Sequence, residues 1–388
     1  MINNQKVGAL ICEFNPLHNG HKYILDKIKE NCDYCVCVMS GNFVQRGDLA
    51  IIDKWKRTKV ALTVGADLVI ELPVQFSLAG AEKFSYAGCF ILNAIKCVDE
   101  IYFGSECGDI EMLKKCAEAV VDGDVSELIK KELNKGISFA AAREEAVRLC
   151  FGDKYADVLK EPNNILGIEY IKALNKLHSH IEPKTFQRFM AGHNENPNGT
   201  FASSTSIREM LRSGVSSSLF IPDSRRAGLD EEKFADIKRL EVAILCKLRT
   251  LKPNELADTP DISEGLENKI YEAAIRSTSL EELYENVKSK RYSHARIRRL
   301  VLSAFLGIDK ERVKKLPYIR VLGMNKKGEA ILKEKRSTLP YVLSYGDAKK
   351  KGLNEQFEFE AKCDSVYTLA RKKPTKGNDY YSHTIIKA

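Results

Sequence analysis

The chain has 388 residues, of which 44% are hydrophobic and 29% are charged. This composition is typical of a folded protein and excludes a wholly disordered or fibrous chain, and the length predicts two or three domains. No apolar run reaches the ~18 residues that a membrane-spanning helix needs, and the 11 cysteines follow no disulfide framework. We therefore expect a cytoplasmic protein with reduced thiols and no membrane association.

The net charge of +8 is concentrated at one end of the chain. Residues 1–215 carry 26 basic and 28 acidic side chains, whereas residues 291–388 carry 23 and 10, a net charge of +13. A basic segment of this kind attracts polyanions such as nucleic acid. From charge alone, a solvated basic face is the simpler interpretation, so RNA binding needs support from other motifs.

The first third of the chain alternates between two hydrophobic periods. Short apolar runs predict buried strands, and apolar residues at helical spacing lie between them. This alternation predicts an α/β fold in which helices cover a parallel sheet, and right-handed crossovers make it a Rossmann-like doubly wound sheet. The four runs are Val7–Cys12, Tyr34–Met39, Leu68–Leu72 and Glu100–Phe103.

The rest of the chain is predicted to be mostly helical, as its hydrophobic spacing indicates. A Ser-rich stretch that ends in Pro222 and Asp223 marks a boundary. We predict one domain over residues 1–215 and a mostly helical, basic C-terminal region over residues 216–388. Further strands are predicted at Lys184–Phe189, Tyr318–Leu322 and Ser365–Leu369.

A histidine motif follows the first predicted strand. It reads EFNPLHNGH over Glu13–His21, and the next helix is predicted to start near His21. Nucleotides bind at the carboxyl end of the first strand of an open α/β sheet, beside a helix N-terminus that favours phosphate. His18 and His21 can both face such phosphates, and Gly20 lets a ligand come close. We predict that both histidines are catalytic and stabilise phosphate charge; the alternative is a pair of surface histidines.

A cluster of hydroxyl side chains opens a later helix. The segment Ser203–Arg208 (SSTSIR) has the composition of an ordinary helix N-cap. With Arg208 one turn into the helix, its guanidinium, the free N–H groups and the hydroxyls of Ser204, Thr205 and Ser206 can also converge on one phosphate. The sequence contains neither a P-loop nor a GxGxxG motif. We predict the phosphate-binding role.

These two motifs resemble those of the HIGH-motif nucleotidyltransferase superfamily, in which an HxGH loop and an STSxIR-type helix start bind ATP. Further segments, spread over nearly the whole chain, are similar to the tRNA(Met) cytidine acetate ligase family, TmcAL. The resemblance implies activation of acetate by ATP as acetyl-adenylate, then acetylation of N4 of the wobble cytidine of elongator tRNA(Met). The segments are Glu13–His21, Met39–Gly47, Ile51–Trp55, Gly65–Pro73, Phe103–Glu106, Glu161–Tyr170 and Pro317–Gly323.

The resemblance also implies an ATP site that runs from Ile11 to about Ile24 and is completed by distant parts of the chain. Gly104, near a strand end, would let the backbone contact adenine or ribose. Asn163 would cap its helix, and Arg188 would offer a guanidinium to phosphate or adenine. Ser203 stands where the superfamily often has Ile, which leaves the pitch of that helix start open. The implied ATP-binding residues are Ile11, Cys12, Glu13, Phe14, Asn15, Pro16, Leu17, His18, Asn19, Gly20, His21, Gly104, Asn163, Asn164, Arg188, Ser204, Thr205, Ser206 and Arg208.

Basic and aromatic side chains alternate in the C-terminal segment. This pattern favours a folded RNA, because phosphates supply affinity and exposed bases stack. The wobble base lies in an anticodon loop that is already largely unpaired, which lowers the cost of presenting it. The predicted RNA-binding residues are Arg46, Arg291, Arg296, Arg298, Arg299, Lys314, Lys315, Arg320, Lys326, Lys327, Arg371, Lys372 and Lys373.

Two other functions would explain part of the sequence. A small-molecule adenylyltransferase would use both motifs but leaves the +13 segment without a purpose. An RNA-binding protein with a non-catalytic nucleotide pocket would need neither the histidine pair nor Arg208. The predicted partners are ATP, acetate and elongator tRNA(Met), without an obligatory protein partner. Magnesium fits as a phosphate counterion although no ligand set identifies it, and no residue stands out as a general base for the amine.

Overall fold

The computed structural model describes the chain except residues 1, 3, 189–198, 223–228, 230–233, 263–264, 378 and 388. Phe189, the last residue of one predicted strand, and Asp223, in the predicted boundary, therefore lie outside the described residues. Within the described part, no helix is both long enough and apolar enough to cross a membrane.

An eight-stranded sheet and a separate two-stranded hairpin are the β-structures of the described residues. The strands are β1 (Val7–Cys12), β2 (Tyr34–Ser40), β3 (Phe43–Val44), β4 (Asp48–Leu49), β5 (Leu68–Leu72), β6 (Glu100–Ser105), β7 (Glu182–Gln187), β8 (Ile319–Met324), β9 (Tyr341–Val342) and β10 (Ile385–Ile386). The sheet order is β10-β8-β5-β2-β1-β6-β7, with β9 paired to β8, while β3 and β4 form the hairpin.

Strand β1 lies where the strand order reverses. It pairs in parallel with β2, with Gly8 opposite Cys35, and with β6, with Gly8 opposite Glu100. The parallel sheet continues to β5 on one side and to β7 on the other. Such a reversal is the switch point of a doubly wound sheet, and ligands bind outside the carboxyl ends of its strands. The predicted fold class is confirmed, except that β8 is antiparallel to β5, so the sheet is mixed.

Helices cover both faces of the sheet and make up most of the C-terminal region. Alternate residues of β1 point to opposite faces: Val7 and Ala9 face one hydrophobic layer, and Leu10 and Cys12 face the other. The helices are α1 (Asn19–Asn31), α2 (Lys54–Val64), α3 (Val74–Ser77), α4 (Ala81–Ile95), α5 (Ile110–Ala119), α6 (Gly123–Leu133), α7 (Phe139–Phe151), α8 (Asp153–Val158), α9 (Pro162–Lys176), α10 (Ser204–Arg212), α11 (Glu241–Thr250), α12 (Pro253–Ala257), α13 (Leu266–Arg276), α14 (Leu280–Val287), α15 (His294–Leu306), α16 (Lys326–Lys333), α17 (Tyr345–Lys350) and α18 (Asn354–Leu369).

The C-terminal helices have a hydrophobic core of their own, built around side chains such as Ile244 and Val301. Phe43 and Leu49 of the hairpin β3–β4 pack into this helical core, although the hairpin belongs to the N-terminal half of the chain. In return, β8, β9 and β10 from the C-terminal half join the central sheet. The two halves thus exchange elements, and the domain boundary near residue 215 stays a prediction.

The strand predicted at residues 365–369 is wrong, because these residues end helix α18. The local run is rich in β-branched and aromatic side chains, which favours a strand. Over the longer segment, however, Phe357, Ala361, Asp364 and Thr368 are buried at helical spacing, and this longer period decides the structure. The strands predicted at residues 184–189 and 318–322 are confirmed as β7 and β8.

Candidate active site

The first strand leads into the histidine loop and the start of α1. His18 is the N-cap of α1, which begins at Asn19, two residues before the predicted start. Nδ1 of His18 accepts a hydrogen bond from the N–H of Gly20 at 3.1 Å. Nδ1 of His21 accepts one from the N–H of His18 at 3.3 Å. Both histidines therefore satisfy free N–H groups of the helix start as well as lining a cleft.

These backbone contacts determine which ring nitrogen carries the proton. A neutral imidazole whose Nδ1 accepts a hydrogen bond is protonated on Nε2. In His18 this Nε2 lies 3.0 Å from Oγ of Ser204, to which it donates. The rings of His18 and His21 stack with their centroids 3.8 Å apart and an angle of 27° between their planes. The pair is a compact unit of two Nε2–H donors.

Burial keeps both histidines uncharged. It lowers the pKa of His18 to about 3, and the positive charges of Arg188 and Arg208 act in the same direction. Burial also lowers the pKa of His21 well below its usual value, with further contributions from His18 and Arg188. At neutral pH the site therefore combines charged guanidinium groups with uncharged N–H donors, an arrangement that favours an anion.

Helix α10 brings the hydroxyl cluster to the histidine loop. Its N-cap is Ser203, whose Oγ accepts a hydrogen bond from the N–H of Ser206 at 3.1 Å. Arg208 reaches across to the loop, with Nη1 donating to the carbonyl of Asn15 at 2.9 Å and Nη2 to Oγ1 of Thr205 at 3.1 Å. The structure thus brings the two predicted motifs together, and Ser203 serves as an ordinary helix cap.

A second guanidinium reaches the same hydroxyl. Nη1 of Arg46 donates to Oγ1 of Thr205 at 3.2 Å, so Arg46 and Arg208 converge on one oxygen. Burial lowers the pKa of Arg208, and the charge of Arg46 lowers it further. Oε1 of the nearby Glu13 accepts a hydrogen bond from the N–H of Gln45 at 2.7 Å, and burial raises the pKa of this carboxyl. An anion between the two arginines would offset their mutual repulsion.

The other side of the cleft is formed by β6, β7 and α9. A Cβ at Gly104 would stand 3.0 Å from Cγ of Arg188, so the missing side chain gives the arginine its room. Nη1 of Arg188 donates to Oδ1 of Asn163 at 3.2 Å, and Nδ2 of Asn163 donates to Oε1 of Glu106 at 2.5 Å. This chain of contacts holds the guanidinium in place beside the cleft.

The capping role predicted for Asn163 is wrong. The N-cap of α9 is Glu161, and no side chain makes the cap hydrogen bond. The neighbouring Asn164 is buried, and its Oδ1 accepts a hydrogen bond from the N–H of Glu106 at 2.9 Å. The two asparagines therefore hold the segment that follows β6, and through it one wall of the cleft. Glu106, which connects them, was missed as a site residue although it belongs to the FGSE segment.

The cleft lies at the switch point between β1 and β6. Its lining combines the imidazole pair with aromatic rings, so it can accept a planar base together with charged phosphates. Phe186 and Phe201 were missed as site residues, because isolated aromatic residues are ordinarily packing residues. The lining residues are His18, Gly20, His21, Tyr23, Ile24, Gly104, Phe186, Gln187, Arg188 and Phe201.

Other residues of the predicted ATP site hold the histidine loop in place and do not line the cleft. Oδ1 of Asn15 accepts a hydrogen bond from the N–H of Ile51 at 2.8 Å. Nδ2 of Asn19 donates to the carbonyls of Thr200 and Leu219 at 2.8 and 2.9 Å. Ile11 packs against the hydrophobic layer that contains Val7. The residues of this stretch that are buried and absent from the cleft lining are Cys12, Phe14, Asn15, Pro16 and Leu17.

Arg57 clamps the histidine loop, and sequence analysis missed it. Its buried side chain donates from Nη1 to the carbonyls of Glu13 at 2.6 Å and Ser40 at 3.0 Å, from Nη2 to that of Gly41, and from Nε to that of Ile52 at 3.0 Å. These bonds tie the end of β1 to the end of β2. A single arginine within a helix carries no sequence signal for such a role.

The prediction that Arg320 binds RNA is wrong, because its side chain is 1% exposed. It lies over the rings of Trp55 and Phe357, and its Nη2 is 3.4 Å from a carboxylate oxygen of Asp379. Arg320 thus belongs to a buried ionic cluster in the interior. The basic character of its sequence neighbourhood does not reveal this burial.

Lys54 is the centre of this buried ionic cluster. Its Nζ lies 2.8 Å from the carboxylate of Glu71 and 3.2 Å from that of Asp379, and it also pairs with Asp364. Asn42 donates to Asp364 at 2.7 Å and accepts the N–H of Lys54 at 2.7 Å. Lys54 and the neighbouring arginine offset two of the three carboxylate charges, and burial raises the pKa of Asp364 to about 8. The cluster therefore joins the end of β5 to helix α18 without requiring a ligand.

Four of the predicted RNA-binding arginines bind other parts of the chain. Each donates to a carbonyl or pairs with a carboxylate, which fixes its guanidinium. The contacts are Arg291 to the carbonyl of Leu133 at 3.3 Å, Arg296 to that of Asp261 at 2.9 Å, Arg299 to that of Gln45 at 3.2 Å, and Arg371 to Asp53 at 3.0 Å.

The remaining predicted RNA-binding residues are exposed, but they do not form one surface. Lys326 and Lys327 follow β8, which runs against its neighbour β5, and Nζ of Lys327 donates to the carbonyl of Asp33 at 2.8 Å. They therefore lie at the edge of the sheet opposite the histidine loop. The other exposed members are Arg46, Arg298, Lys314, Lys315, Lys372 and Lys373, whose contact with RNA stays a prediction.

The fold and the site together define a class of protein. A doubly wound sheet carries paired imidazoles at the start of α1 and a hydroxyl–arginine cluster at the start of α10, which is the arrangement of a HIGH-motif nucleotidyltransferase. The model of the HIGH Nucleotidyl Transferase family matches residues 5–380. Among the described residues, no three His, Cys, Asp or Glu side chains are grouped so that they could hold a metal ion.

Known proteins similar to this chain specify the family. A tRNA(Met) cytidine acetate ligase of Thermoanaerobacter sp. (strain X514) is 41% identical over 98% of this chain and 99% of that protein. One from Caldanaerobacter subterraneus subsp. tengcongensis is 42% identical with the same coverage. Crystal structures of Thermotoga maritima TmcAL cover 98% of this chain and 100% of theirs, with TM-scores of 0.92 for the apo form (31% identity) and 0.90 for the form bound with alpha-thio ATP (30%). The chain belongs to the tRNA(Met) cytidine acetate ligase family, which confirms the resemblance.

Proposed function

We propose that this protein is an ATP-dependent ligase that acetylates N4 of the wobble cytidine of elongator tRNA(Met). A carboxylate oxygen of acetate attacks the α-phosphorus of ATP, pyrophosphate leaves, and acetyl-adenylate forms. The N4 amine then attacks the acetyl carbon, AMP leaves, and the amine loses a proton. The observation that carries this proposal is the stacked pair of uncharged imidazoles at the switch point, of which His18 is bonded to Ser204 of α10. The names of the relatives support it.

ATP fits the cleft with its base against β6 and its phosphates against two helix starts. Gly104 lets the backbone approach the base or ribose, with Phe186 and Arg188 beside it. The N-terminus of α10 favours phosphate. At the start of α1 the backbone N–H groups are already bonded, so the imidazole N–H groups are the donors there. The nucleotide bound to Thermotoga maritima TmcAL supports ATP as the substrate. Magnesium bound to the phosphates is part of this proposal.

Uncharged imidazoles suit the departure of pyrophosphate. Negative charge develops on the phosphate oxygens in this step, and little covalent work is required of the protein. The Nε2–H donors of His18 and His21 and the guanidinium of Arg208 are held in place before ATP binds. Preorganised donors in a buried site stabilise developing charge more strongly than water does. The fixed position of these donors is therefore the source of the catalysis.

We place the tRNA at the carboxyl edge of the sheet, where Arg46 and Arg298 are exposed. Arg46 also contacts Thr205 of the phosphate site, so one basic side chain spans the outer surface and the adenylate. An anticodon loop offers unpaired bases that can enter such a site. Because its substrate is tRNA, we propose the cytoplasm as the location of the protein.

Product analysis tests this function. The protein is incubated with ATP, labelled acetate and total tRNA, and the RNA is digested to nucleosides. We expect label in N4-acetylcytidine, only when ATP is present, with AMP and pyrophosphate as co-products. Stable transfer of AMP to a small metabolite, with acetate and tRNA without effect, would instead identify a small-molecule adenylyltransferase.

A further inference from the structure

The hairpin β3–β4 lies between the helical core and the histidine loop. Its strands pair Phe43 with Leu49 and Val44 with Asp48. Phe43 and Leu49 are buried in the helical core. The hairpin is therefore anchored to the C-terminal helices, although the sequence on both sides of it belongs to the nucleotide-binding sheet.

On one side, the turn of the hairpin packs directly on helix α15. Nη1 of Arg299 donates to the carbonyl of Gln45 at 3.2 Å. Gly47 has φ of +72°, and a Cβ there would stand 2.6 Å from Cβ of Arg298 and from the backbone N of Arg299. Only glycine fits this approach, because any other residue is both strained at this φ and too large. The turn and the helix are thus in close contact.

On the other side, the same turn contacts the phosphate site. The N–H of Gln45 donates to Oε1 of Glu13 at 2.7 Å. The next residue, Arg46, donates to Oγ1 of Thr205 at 3.2 Å. The backbone of Gln45 therefore connects the two sides. Its carbonyl accepts a hydrogen bond from Arg299, and its N–H donates one to Glu13, the first residue of the histidine motif.

We propose that Arg299 is a positioning residue for acetyl-adenylate formation, acting through the peptide of Gln45 on Glu13 and the histidine loop. This inference rests on the proposed function. It replaces RNA contact as the main role of Arg299, since the guanidinium is committed to the hairpin. Small displacements of a reacting geometry reduce rates strongly even when the altered residue does not touch the substrate.

Arg249 provides a matched control. Its guanidinium also clamps backbone carbonyls of the helical region, with Nε donating to Ala274 at 2.8 Å and Nη2 to Ser277 at 2.7 Å. None of these residues belongs to the hairpin or to the cleft lining. Replacing Arg249 therefore removes the same kind of bond from the same region without altering the contact between α15 and the hairpin.

The test measures acetate-dependent exchange of labelled pyrophosphate into ATP, without tRNA, together with the unfolding midpoint of each variant. We expect Arg299→Met to lower kcat on the order of tenfold while KM for ATP changes less than about twofold, since alignment rather than binding is lost. Arg299→Lys, which keeps the positive charge and can still donate to the carbonyl of Gln45, should recover most of the rate. Gly47→Ala, which displaces the turn by another route, should reproduce the loss of kcat.

Two outcomes would overturn the proposal in distinguishable ways. If Arg299→Met and Arg249→Met lower kcat equally, or if Arg299→Lys recovers nothing at an unchanged unfolding midpoint, Arg299 has no positioning role while the proposed function stands. If the wild-type protein itself shows no acetate-dependent exchange, the proposed function is wrong and the positioning role fails with it.

Discussion

Two polar clusters lie at the carboxyl edge of the same sheet, and their charges are arranged in opposite ways. The cluster beyond β1 and β6 has uncharged imidazoles and guanidinium groups around an open cleft. The cluster beyond β2 and β5 encloses Lys54 among Glu71, Asp364 and Asp379, away from solvent. Burial of charge is common to both clusters, so burial alone does not indicate a ligand site. A ligand site is indicated by an excess of donors and positive charge that faces a cleft.

Arg57 connects the two clusters. It binds the carbonyls of Glu13, beside the cleft, and of Ser40 and Gly41, beside the ionic cluster. A Cβ at Gly41 would collide with the carboxylate of Glu71, so the chain between the clusters is tightly packed. The ionic cluster therefore supports the cleft. We expect substitutions in the ionic cluster to reduce stability, and substitutions in the cleft to reduce activity.

The largest effect is expected from breaking the ionic cluster. Lys54→Met leaves several carboxylates buried without their cation, which typically costs about 3–5 kcal/mol. The free energy of unfolding, measured by urea denaturation, should fall by that amount. Lys59→Met, on the exposed side of the same helix, is the control and should change stability by no more than about 0.5 kcal/mol. An equally small effect at Lys54 would show that the cluster does not support the fold.

The cleft should respond in the opposite way, with loss of activity and little loss of stability. His18→Asn keeps a side chain suited to an N-cap but removes one preorganised donor, which corresponds to about 2–4 kcal/mol of transition-state stabilisation. The measurement is acetate-dependent pyrophosphate exchange. His180→Asn, at an exposed position outside the cleft, should retain wild-type exchange. Undiminished exchange in His18→Asn would contradict the assignment of His18.

Acid should destabilise the protein through the same histidine. The pKa of His18 is about 3 in the folded chain, below its ordinary value of 6.5, so the unfolded chain binds the proton more readily. The contribution of uncharged His18 to the free energy of unfolding is therefore complete above about pH 6.5 and is lost as the pH falls toward 3. Between pH 7 and 5, wild type should lose roughly 1–2 kcal/mol more than His18→Asn in urea unfolding. Equal losses would show that His18 is not held uncharged by burial.

The smallest effect is expected on the outer surface beside the cleft. Arg298→Gln removes an exposed charge and should weaken tRNA binding by less than about 1 kcal/mol. It should reduce the dependence of log affinity on log salt by about 0.7–0.9, since one phosphate contact is lost. Filter binding at several salt concentrations measures both quantities. Lys326→Gln, at the opposite edge of the sheet, should leave them unchanged. A larger effect at Lys326 would indicate that RNA binds at that edge of the sheet instead.

The histidine site could be predicted from sequence because its parts are local. Glu13–His21 are contiguous and follow a strand, so the geometry of a strand, a loop and a helix brings both imidazoles together. The Ser203–Arg208 helix start is local in the same way, and the topology of a doubly wound sheet indicates which edge both must share. The contact of His18 with Ser204 then follows from the fold.

The roles of the charged side chains could not be predicted in this way. Arg320 lies 59 residues from its partner Asp379, and Arg57 binds carbonyls on two different strands. No local pattern encodes such contacts, so a basic segment looks the same whether its charges face solvent or a buried carboxylate. The capping role predicted for Asn163 failed for the same reason, since its partners Glu106 and Arg188 are distant in the chain.

In the proposed reaction, the cleft forms acetyl-adenylate before tRNA takes part. Exchange of labelled pyrophosphate into ATP by the wild-type protein in the absence of tRNA, with and without acetate, measures this step directly. We expect exchange only when acetate is present. Once tRNA is added, we expect release of AMP together with acetylated RNA, because the mixed anhydride is positioned for attack by the amine. Exchange that proceeds equally well without acetate, or that requires tRNA, would contradict the proposed reaction.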